Sequence, residues 1–316
     1  MAHAVIERFQ ALESVFIEAV KRSERLSARF AAAAALDADS DVATTVRRAL
    51  RERDALDACV SRWSHPSKPM RIVYGAALAA VNRDAGAYAE THAALKETRK
   101  ARGGRRLSLD GSCTALTLTA AGGSPAQTGM FFDILEAIAA PWWRRDAAAE
   151  EAYAAIMAAD GETPETAEAR LGKARDAMLG AGVPKGQVNK AVYEVALADP
   201  SPMRFAKTWT ALSIAARSEK GLVRHTGLSG LAILAAQVDD GSAAGDALVE
   251  ANTAIRALKP KPQGMAAGRL VLRLAVAMTG RKTPGAAARD LSAIFAAQQA
   301  AVVAATAGVV AVTAAG

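Results

Sequence analysis

The sequence is short of the residues that build most metal and redox centres. It has two cysteines, four histidines and only 5% aromatic residues. Cys59 and Cys113 are too few and too far apart in the chain to form a disulfide framework or a zinc site. We expect both to be buried free thiols in a reducing compartment. The histidines form neither an HExxH motif nor a pair at helical spacing, so the sequence predicts no metal site.

Motifs of nucleotide binding and covalent catalysis are also missing. The chain has no GxSxG and no GxGxxG motif. Residues 280–285, GRKTPG, lack the upstream glycine and the GK[ST] order of a phosphate-binding loop. Asp239 and Asp240 are typical of a turn, and Glu150 and Glu151 lie near a predicted helix start, where the helix dipole favours negative charge. We predict no cofactor and favour a non-enzymatic protein over an enzyme whose catalytic residues meet only in the fold.

Strand patterns and export signals are scarce as well. No stretch sustains the alternation of apolar and polar residues that a half-buried strand requires. The N-terminal residues MAHAVIERFQALE carry Glu7, Arg8 and Glu13 inside their apolar pattern, so they lack the uncharged core of a signal peptide. We therefore predict a cytoplasmic protein.

Alanine dominates what the sequence does contain. Hydrophobic residues make up 51% and charged residues 22% of the 316 residues, which is typical of a globular protein. Alanine has the highest helix propensity and lets helices approach closely. Apolar residues at helical spacing, such as Ile6, Phe9, Leu12 and Phe16, predict amphipathic helices. The formal charge of +7 permits an anionic partner without requiring one.

Helix-breaking residues recur along the chain. From Asn82 onward, clusters of Gly, Pro, Asp and Ser interrupt the helical pattern at intervals of about twenty residues. Short turns between helices place neighbouring helices antiparallel. The sequence therefore predicts an all-α fold in which antiparallel helical hairpins form either a solenoid-like or a closed α-array. About 13–14 helices of about 15 residues fit the length of the chain.

A longer period is superimposed on the short one. The turns that begin at Asn82, Asp160 and Asp239 lie 78 and 79 residues apart. In step with them are pairs that combine a helix N-cap with proline at the first helical position, namely Ser124-Pro125, Ser201-Pro202 and Thr283-Pro284. We predict a single domain made of N-terminal helices, three four-helix units and a C-terminal tail. Their bounds are 1–66, 67–141, 142–220, 221–297 and 298–316.

The segment APWWRRD, residues 140–146, is the most unusual in composition. Pro141 ends the preceding helix and Asp146 caps the next, which places both tryptophans on a turn between helices. Large aromatic side chains at such a position commonly close a helix end. Alternatively, the tryptophans and arginines anchor a protein or an anionic group, and membrane insertion is the third reading. The candidate partner-binding residues are Trp142, Trp143, Arg144 and Arg145.

The strongest cluster of positive charge is KETRKARGGRR, residues 96–106. Cations at a helix C-terminus are favoured by the helix dipole and are ordinarily solvated. The alternative is binding of a phosphate-bearing partner, either nucleic acid or an acidic protein face. No aromatic residue interleaves the cluster and no helix-turn-helix motif accompanies it, so a nucleic-acid role has no motif in its favour. The candidate anion-binding residues are Lys96, Arg99, Lys100, Arg102, Arg105 and Arg106.

The end of the chain differs from the rest because residues 294–316 carry no charge. Their number reaches the range needed to span a membrane. They are mostly alanine, however, include Gln298 and Gln299, and have no basic or aromatic anchor. We favour docking onto the last helices or self-association over a mobile tail, and both over membrane attachment.

Several stretches resemble a family of uncharacterised bacterial cytoplasmic proteins of unknown function. They are SKPMRIVYGAALAAVNRDAGAYAETHAALKE, CTALTLTAAGG, KARDAMLGAGV, TGLSGLAILAA and the alanine-rich C-terminal run. The resemblance covers roughly residues 60–316 and implies an all-helical fold but no activity. Members of that family carry a Leu-Thr and paired-Asp motif where this chain has Trp142 to Asp146, so no site residue is carried over.

These observations predict a protein-binding or scaffolding module built from helical repeats. Its expected partner is a protein, and self-association into a homo-oligomer stays open. One alternative is an enzyme or small-ligand-binding protein whose pocket forms where helices converge. A further alternative is nucleic-acid binding through residues 96–106.

Overall fold

The computed structural model describes residues 2–21, 24–61, 64–140, 146–218, 222–259, 261–262 and 264–279. These residues form fourteen α-helices and no β-strand, so the predicted all-α fold is confirmed. The odd-numbered helices are α1 (Ala2–Ala19), α3 (Val42–Cys59), α5 (Ala85–Arg102), α7 (Thr128–Ala137), α9 (Pro164–Gly180), α11 (Pro202–Ser218) and α13 (Gly241–Ala257). The even-numbered helices are α2 (Arg25–Ala34), α4 (Lys68–Ala80), α6 (Ser112–Ala120), α8 (Ala147–Ala159), α10 (Lys185–Ala198), α12 (Leu222–Gln237) and α14 (Gly264–Thr279).

The helices form two layers, with the even-numbered helices inside. Each even-numbered helix contacts the next even-numbered helix, and the odd-numbered helices contact one another in the same order. The last helix, α14, also contacts α1 and α2, and α13 contacts α1. The array therefore closes on itself. Of the two arrangements that the sequence left open, these contacts support the closed one.

The inner helices are buried around most of their circumference. Every residue is buried in several runs of the inner layer, among them 27–36, 70–79 and 230–236. Most of these side chains are small, which allows helix axes to approach to about 8–10 Å. Alanine also loses no side-chain entropy when it is buried. The abundance of alanine therefore serves the inner layer in particular.

The outer helices bury a single stripe, as their spacing predicts. In α1, Ile6, Phe9, Leu12 and Phe16 are all buried, while the residues between them are mostly half-buried or exposed. The backbones of α3 and α4 approach each other especially closely. A Cβ atom on Gly75 would lie 2.4 Å from the carbonyl oxygen of Ala49, so only glycine fits there.

The predicted helix starts are confirmed by their caps. The Asp146 carboxylate accepts a hydrogen bond from the backbone N–H of Ala149, and α8 begins at the next residue. The Ser201 hydroxyl accepts from the N–H of Arg204 at the start of α11. Ser124 forms a capping box with Gln127 in the short 3₁₀ turn that precedes α7. The third Ser/Thr-Pro pair, at residues 283–284, lies outside the described residues.

Buried arginines join the two ends of the closed array. Arg273 of α14 donates from Nε to the carbonyl oxygen of Ala33, at 3.1 Å, and from Nη2 to the Asp37 carboxylate, at 2.7 Å. Arg29 of α2 is paired with the Glu13 carboxylate of α1 and donates from Nη2 to the carbonyl oxygen of Lys259, which follows α13, at 3.4 Å. Both arginine side chains are almost fully buried. Because a buried guanidinium must keep its hydrogen bonds, these contacts fix how the ends meet.

None of the described helices is both long and apolar enough to cross a bilayer. The uncharged segment 294–316 lies outside the described residues. The division into N-terminal helices, three repeated units and a tail stays a prediction.

Replacing Arg273 with Ala should lower the free energy of unfolding by about 2–3 kcal/mol, because two charge-assisted hydrogen bonds across the closure are lost. Urea denaturation followed by circular dichroism measures the change. Arg269→Ala is the matched control, since Arg269 is half-buried one turn earlier on the same helix and makes no ion pair within the described residues. Equal losses in the two variants would contradict the role assigned to the closure.

Candidate functional site

The predicted tryptophan and arginine site falls in the segment between α7 and α8. Trp142, Trp143, Arg144 and Arg145 lie outside the described residues. The helices on either side are described, and α7 ends at Ala137 while α8 begins at Ala147. The segment therefore connects an outer helix to the inner helix that follows it.

Half of the predicted anion-binding cluster is engaged by carboxylates of this chain. The pairs are Lys96 with Asp110 at 2.7 Å, Arg102 with Asp133 at 2.7 Å and Arg105 with Glu150 at 2.9 Å. Arg99, Lys100 and Arg106 make no ion pair within the described ranges. The structure thus leaves three of the six predicted cations for an external anion.

Arg99 and Lys100, together with Lys96, line a shallow depression of about 410 Å³ at the end of α5. Gly103 closes the helix in the left-handed conformation, and the N–H of Gly104 bonds back to the carbonyl oxygen of Arg99. The C-terminal end of a helix carries partial negative charge, which favours the cations but not an anionic ligand. Anion binding by this cluster stays a prediction.

The carboxylate pair at the start of α8 is buried, which its position near a helix start did not indicate. Glu151 is almost fully buried, and its carboxylate accepts from the backbone N–H and the hydroxyl of Ser108 and from the hydroxyl of Thr114. Burial raises the pKa of Glu151 above its ordinary value, and these donors and Arg105 only partly oppose the rise. Glu151 thus ties the turn before α6 to α8.

Glu150 extends this polar network to α10. It is fully buried, pairs with Arg105 at 2.9 Å and accepts a long hydrogen bond, 3.4 Å, from the Tyr193 hydroxyl. The Nε and Nη2 atoms of Arg105 are buried without a hydrogen-bond partner among the described residues. Burial, followed by the negative charge of Glu150, raises the pKa of Tyr193, and Arg175 opposes the rise.

The turn that Glu151 holds has an unusual backbone. Leu109 and Asp110 have φ angles of 48° and 57°, and Gly111 follows at 77°. Left-handed conformations cost energy in residues other than glycine. The Asp110 carbonyl oxygen accepts from Nε2 of His92 at 2.9 Å, and burial lowers the pKa of that histidine. His92 is half-buried at the edge of the core.

The two thiols differ from the sequence prediction. Cys59 is exposed, so the expectation that both thiols are buried is wrong for this residue, which is the last of α3. Cys113 is half-buried and lies 3.2 Å from the Tyr74 hydroxyl. Burial raises the pKa of Cys113 to about 11. At neutral pH this thiol is protonated and therefore a poor nucleophile.

A cavity of about 570 Å³ opens between the end of α7, α9 and α10, and we call it the α9 cavity. Its apolar lining includes Ile138, Leu171, Leu179, Val188 and Val192, together with Ala137, Ala139 and Ala140. Its polar lining consists of Glu168, Arg175, Lys185, Asn189 and Tyr193. The unplaced tryptophan segment follows directly after Ala140 in the chain.

A second depression lies on the adjacent face of α9, next to the start of α11, and we call it the α9–α11 groove. It measures about 710 Å³ and is lined by Gly172, Ala177, Gly180, Ala181, Met203 and Ala206, with Lys173 and Asp176. Gly172 also lines the α9 cavity. A Cβ atom on Gly172 or Gly180 would meet nothing within 4 Å, so both glycines face open space.

Two of the exposed apolar side chains line these depressions, Leu179 in the α9 cavity and Met203 in the α9–α11 groove. Among the described residues, the large hydrophobic side chains that are exposed are Leu179 (44%), Met203 (83%) and Ile214 (63%). They lie on α9 and α11, which are neighbours in the outer layer. The candidate site is therefore this α9–α11 face, which comprises the α9 cavity, the α9–α11 groove and the three exposed side chains.

Sequence analysis missed this face. One signal was available, because Glu168, Gly172, Arg175 and Leu179 follow helical spacing and place a leucine on the polar side of α9. The contributions from α7 and α10 had no such signal, since they come from distant parts of the chain. No group of three metal-ligating side chains occurs in the part of the chain that is described.

No family model matches the chain, and no curated protein or solved structure matches it. The resemblance to a bacterial family of unknown function therefore stays a prediction, and the site is interpreted from its own geometry.

Glu151→Gln tests the buried network through its pH dependence. When folding raises the pKa of a carboxyl group, that group contributes its full stabilisation at pH values below its pKa in the unfolded state. The contribution is lost as the pH rises through the pKa of the folded state. From the ordinary value of 4.5 upward, the wild type should thus lose stability relative to the variant, by at most about 1.4 kcal/mol per pH unit. Urea midpoints between pH 4.5 and 7 measure the difference, and a flat difference would contradict it.

Proposed function

We propose that the protein is a protein-binding module that recognises its partner through the α9–α11 face. The observation that supports this proposal is the concentration of exposed apolar side chains there. Leu179, Met203 and Ile214 are the large hydrophobic residues that the described part of the chain leaves exposed, and all three lie on two adjacent helices. Apolar surface gathered in one place marks interaction sites more often than single exposed residues do.

The composition of the face also supports a protein partner. Apolar residues line the floors of the two depressions, and the charged residues Lys173, Asp176, Arg175 and Glu168 lie around them. An apolar centre with a polar rim is the usual anatomy of a protein interface. The thioether of Met203 is flexible and adapts to varied partner surfaces.

The two glycines of α9 give a further reason. Glycine in a helix interior costs about 0.5–1 kcal/mol relative to alanine. Gly172 and Gly180 have open space above them, so no contact within the described chain repays that cost. Close approach of a partner's backbone to α9 would use this space.

The proposal includes a reducing, cytoplasmic location. Cys59 and Cys113 are both free thiols, and unpaired cysteines are typical of reducing compartments. The repeated helical hairpins serve in this proposal as the rigid support for the binding face.

Leu179→Glu and Met203→Glu test the proposal by placing a charge in each depression. In affinity purification from the native cell, each variant should retain at least tenfold less of the specific partner than the wild type, because a central apolar contact is worth more than about 1.4 kcal/mol. Quantitative mass spectrometry measures the retained protein. Ala58→Glu is the control, since Ala58 is exposed on α3, an outer helix away from the face. Identical partner sets for wild type, test and control variants would overturn the proposal.

The tryptophan segment is tested in the same assay with Trp142→Ala and Trp143→Ala combined. If these residues extend the binding face, the double variant should lose the partner while its melting temperature stays that of the wild type. If they instead close a helix end, it should bind normally and melt several degrees earlier. Calorimetry and the capture assay together distinguish the two outcomes.

A further inference from the structure

The α9 cavity has the size of a small-molecule site. Its volume of about 570 Å³ falls within the range of about 300–1,000 Å³ that is usual for ligand pockets. Its walls come from three helices of the closed array, and Tyr193 at the wall is anchored through its hydroxyl to the buried Glu150. The part of the lining contributed by α10 is therefore held in place by the core rather than by a loop.

The charges that line the cavity are mostly positive. The lining contains two cations, Arg175 from α9 and Lys185 from α10, and one carboxylate, that of Glu168. Within the described residues none of these three side chains makes an ion pair shorter than 4.0 Å. By contrast, Lys173 on the adjacent face of α9 is already paired with Asp199 at 3.0 Å. The two cations of the cavity thus remain available to an external anion.

The start of α10 adds to this positive potential. Lys185 is the first residue of α10, and its N-cap, Pro184, provides no side-chain hydrogen bond. The first turn also contains no acidic residue. The partial positive charge of an uncapped helix N-terminus favours an anion nearby.

The remaining lining fits an apolar body. Ile138, Leu171, Val188 and Val192 are buried residues that line the cavity, and Leu179 is the exposed residue at its edge. A ligand with only charged groups would leave this apolar surface exposed to water. A purely apolar ligand would leave the two cations without a counter-charge. With one net positive charge, the lining matches a single carboxylate better than a doubly charged phosphate.

We propose that the α9 cavity binds a small apolar molecule that carries one carboxylate. The carboxylate lies between Arg175 and Lys185, and the apolar body packs against Ile138, Leu171, Val188 and Val192. The cavity adjoins the α9–α11 groove of the proposed partner face and shares Gly172 with it, but binding of a small carboxylate needs no protein partner and is tested without one.

Head-group specificity provides the first test. Decanoate, decanol and decylammonium share one alkyl chain, and isothermal titration calorimetry of the full chain, below their micelle concentrations, gives the affinity of each. We expect decanoate to bind about tenfold more tightly than decanol, from two partly exposed ion pairs, and decylammonium to bind more weakly than decanol. The advantage of decanoate should shrink as salt is raised. Equal binding of decanoate and decanol, or no binding of either, would overturn the proposal.

Charge-neutralising variants provide the second test. Arg175→Gln and Lys185→Gln should each weaken decanoate binding about two- to fivefold and leave decanol binding unchanged. Glu168→Gln should strengthen decanoate binding, because it removes the repelling carboxylate. Lys173→Gln is the matched control, since it removes a lysine from the same helix outside the cavity. A loss in the Lys173 variant as large as in the Arg175 variant would show that only overall charge matters and would overturn the proposed site.

Discussion

Each inner helix, from α2 to α14, packs against other inner helices and against the outer layer, and this crowding limits the size of its side chains. Helices that are enclosed on several sides keep close contact only if small residues lie between them. The buried runs 27–36, 70–79 and 230–236 contain twelve alanines and two glycines among their 27 residues. Where α4 contacts the backbone of Ala49, even alanine would be too large, and the chain has Gly75. The closed array depends on this close packing.

Polar groups buried in so apolar a layer need partners, and those partners connect elements that are distant in the chain. Arg273 joins α14 to the segment after α2, while Glu150 and Glu151 join α8 to the turn before α6 and to α10. An unpaired buried charge would cost several kcal/mol, so these contacts restrict the relative placement of the helices. Through Tyr193, the same network positions one wall of the α9 cavity.

The outer layer has more freedom, because each outer helix needs only one apolar stripe. The other faces are exposed and are free to carry binding residues without affecting the core. On α9 and α11 that freedom accounts for exposed Leu179 and Met203 and for two glycines in a helix. The proposed partner contact and the proposed carboxylate site use adjacent faces of the same outer helix, which meet at Gly172.

The sequence by itself determined the helices and their caps. Asp146 and Ser201 could be identified as caps, and Phe9 and Phe16 as core residues, because capping and the 3.6-residue period act within a few residues. It also suggested two buried thiols, yet Cys59 at the end of α3 is exposed. Only the tertiary structure decided that the array closes, that Glu150 and Glu151 are buried, and that Ile138, Arg175 and Lys185 line one cavity. These features depend on the packing between helices far apart in the chain, which no local pattern encodes.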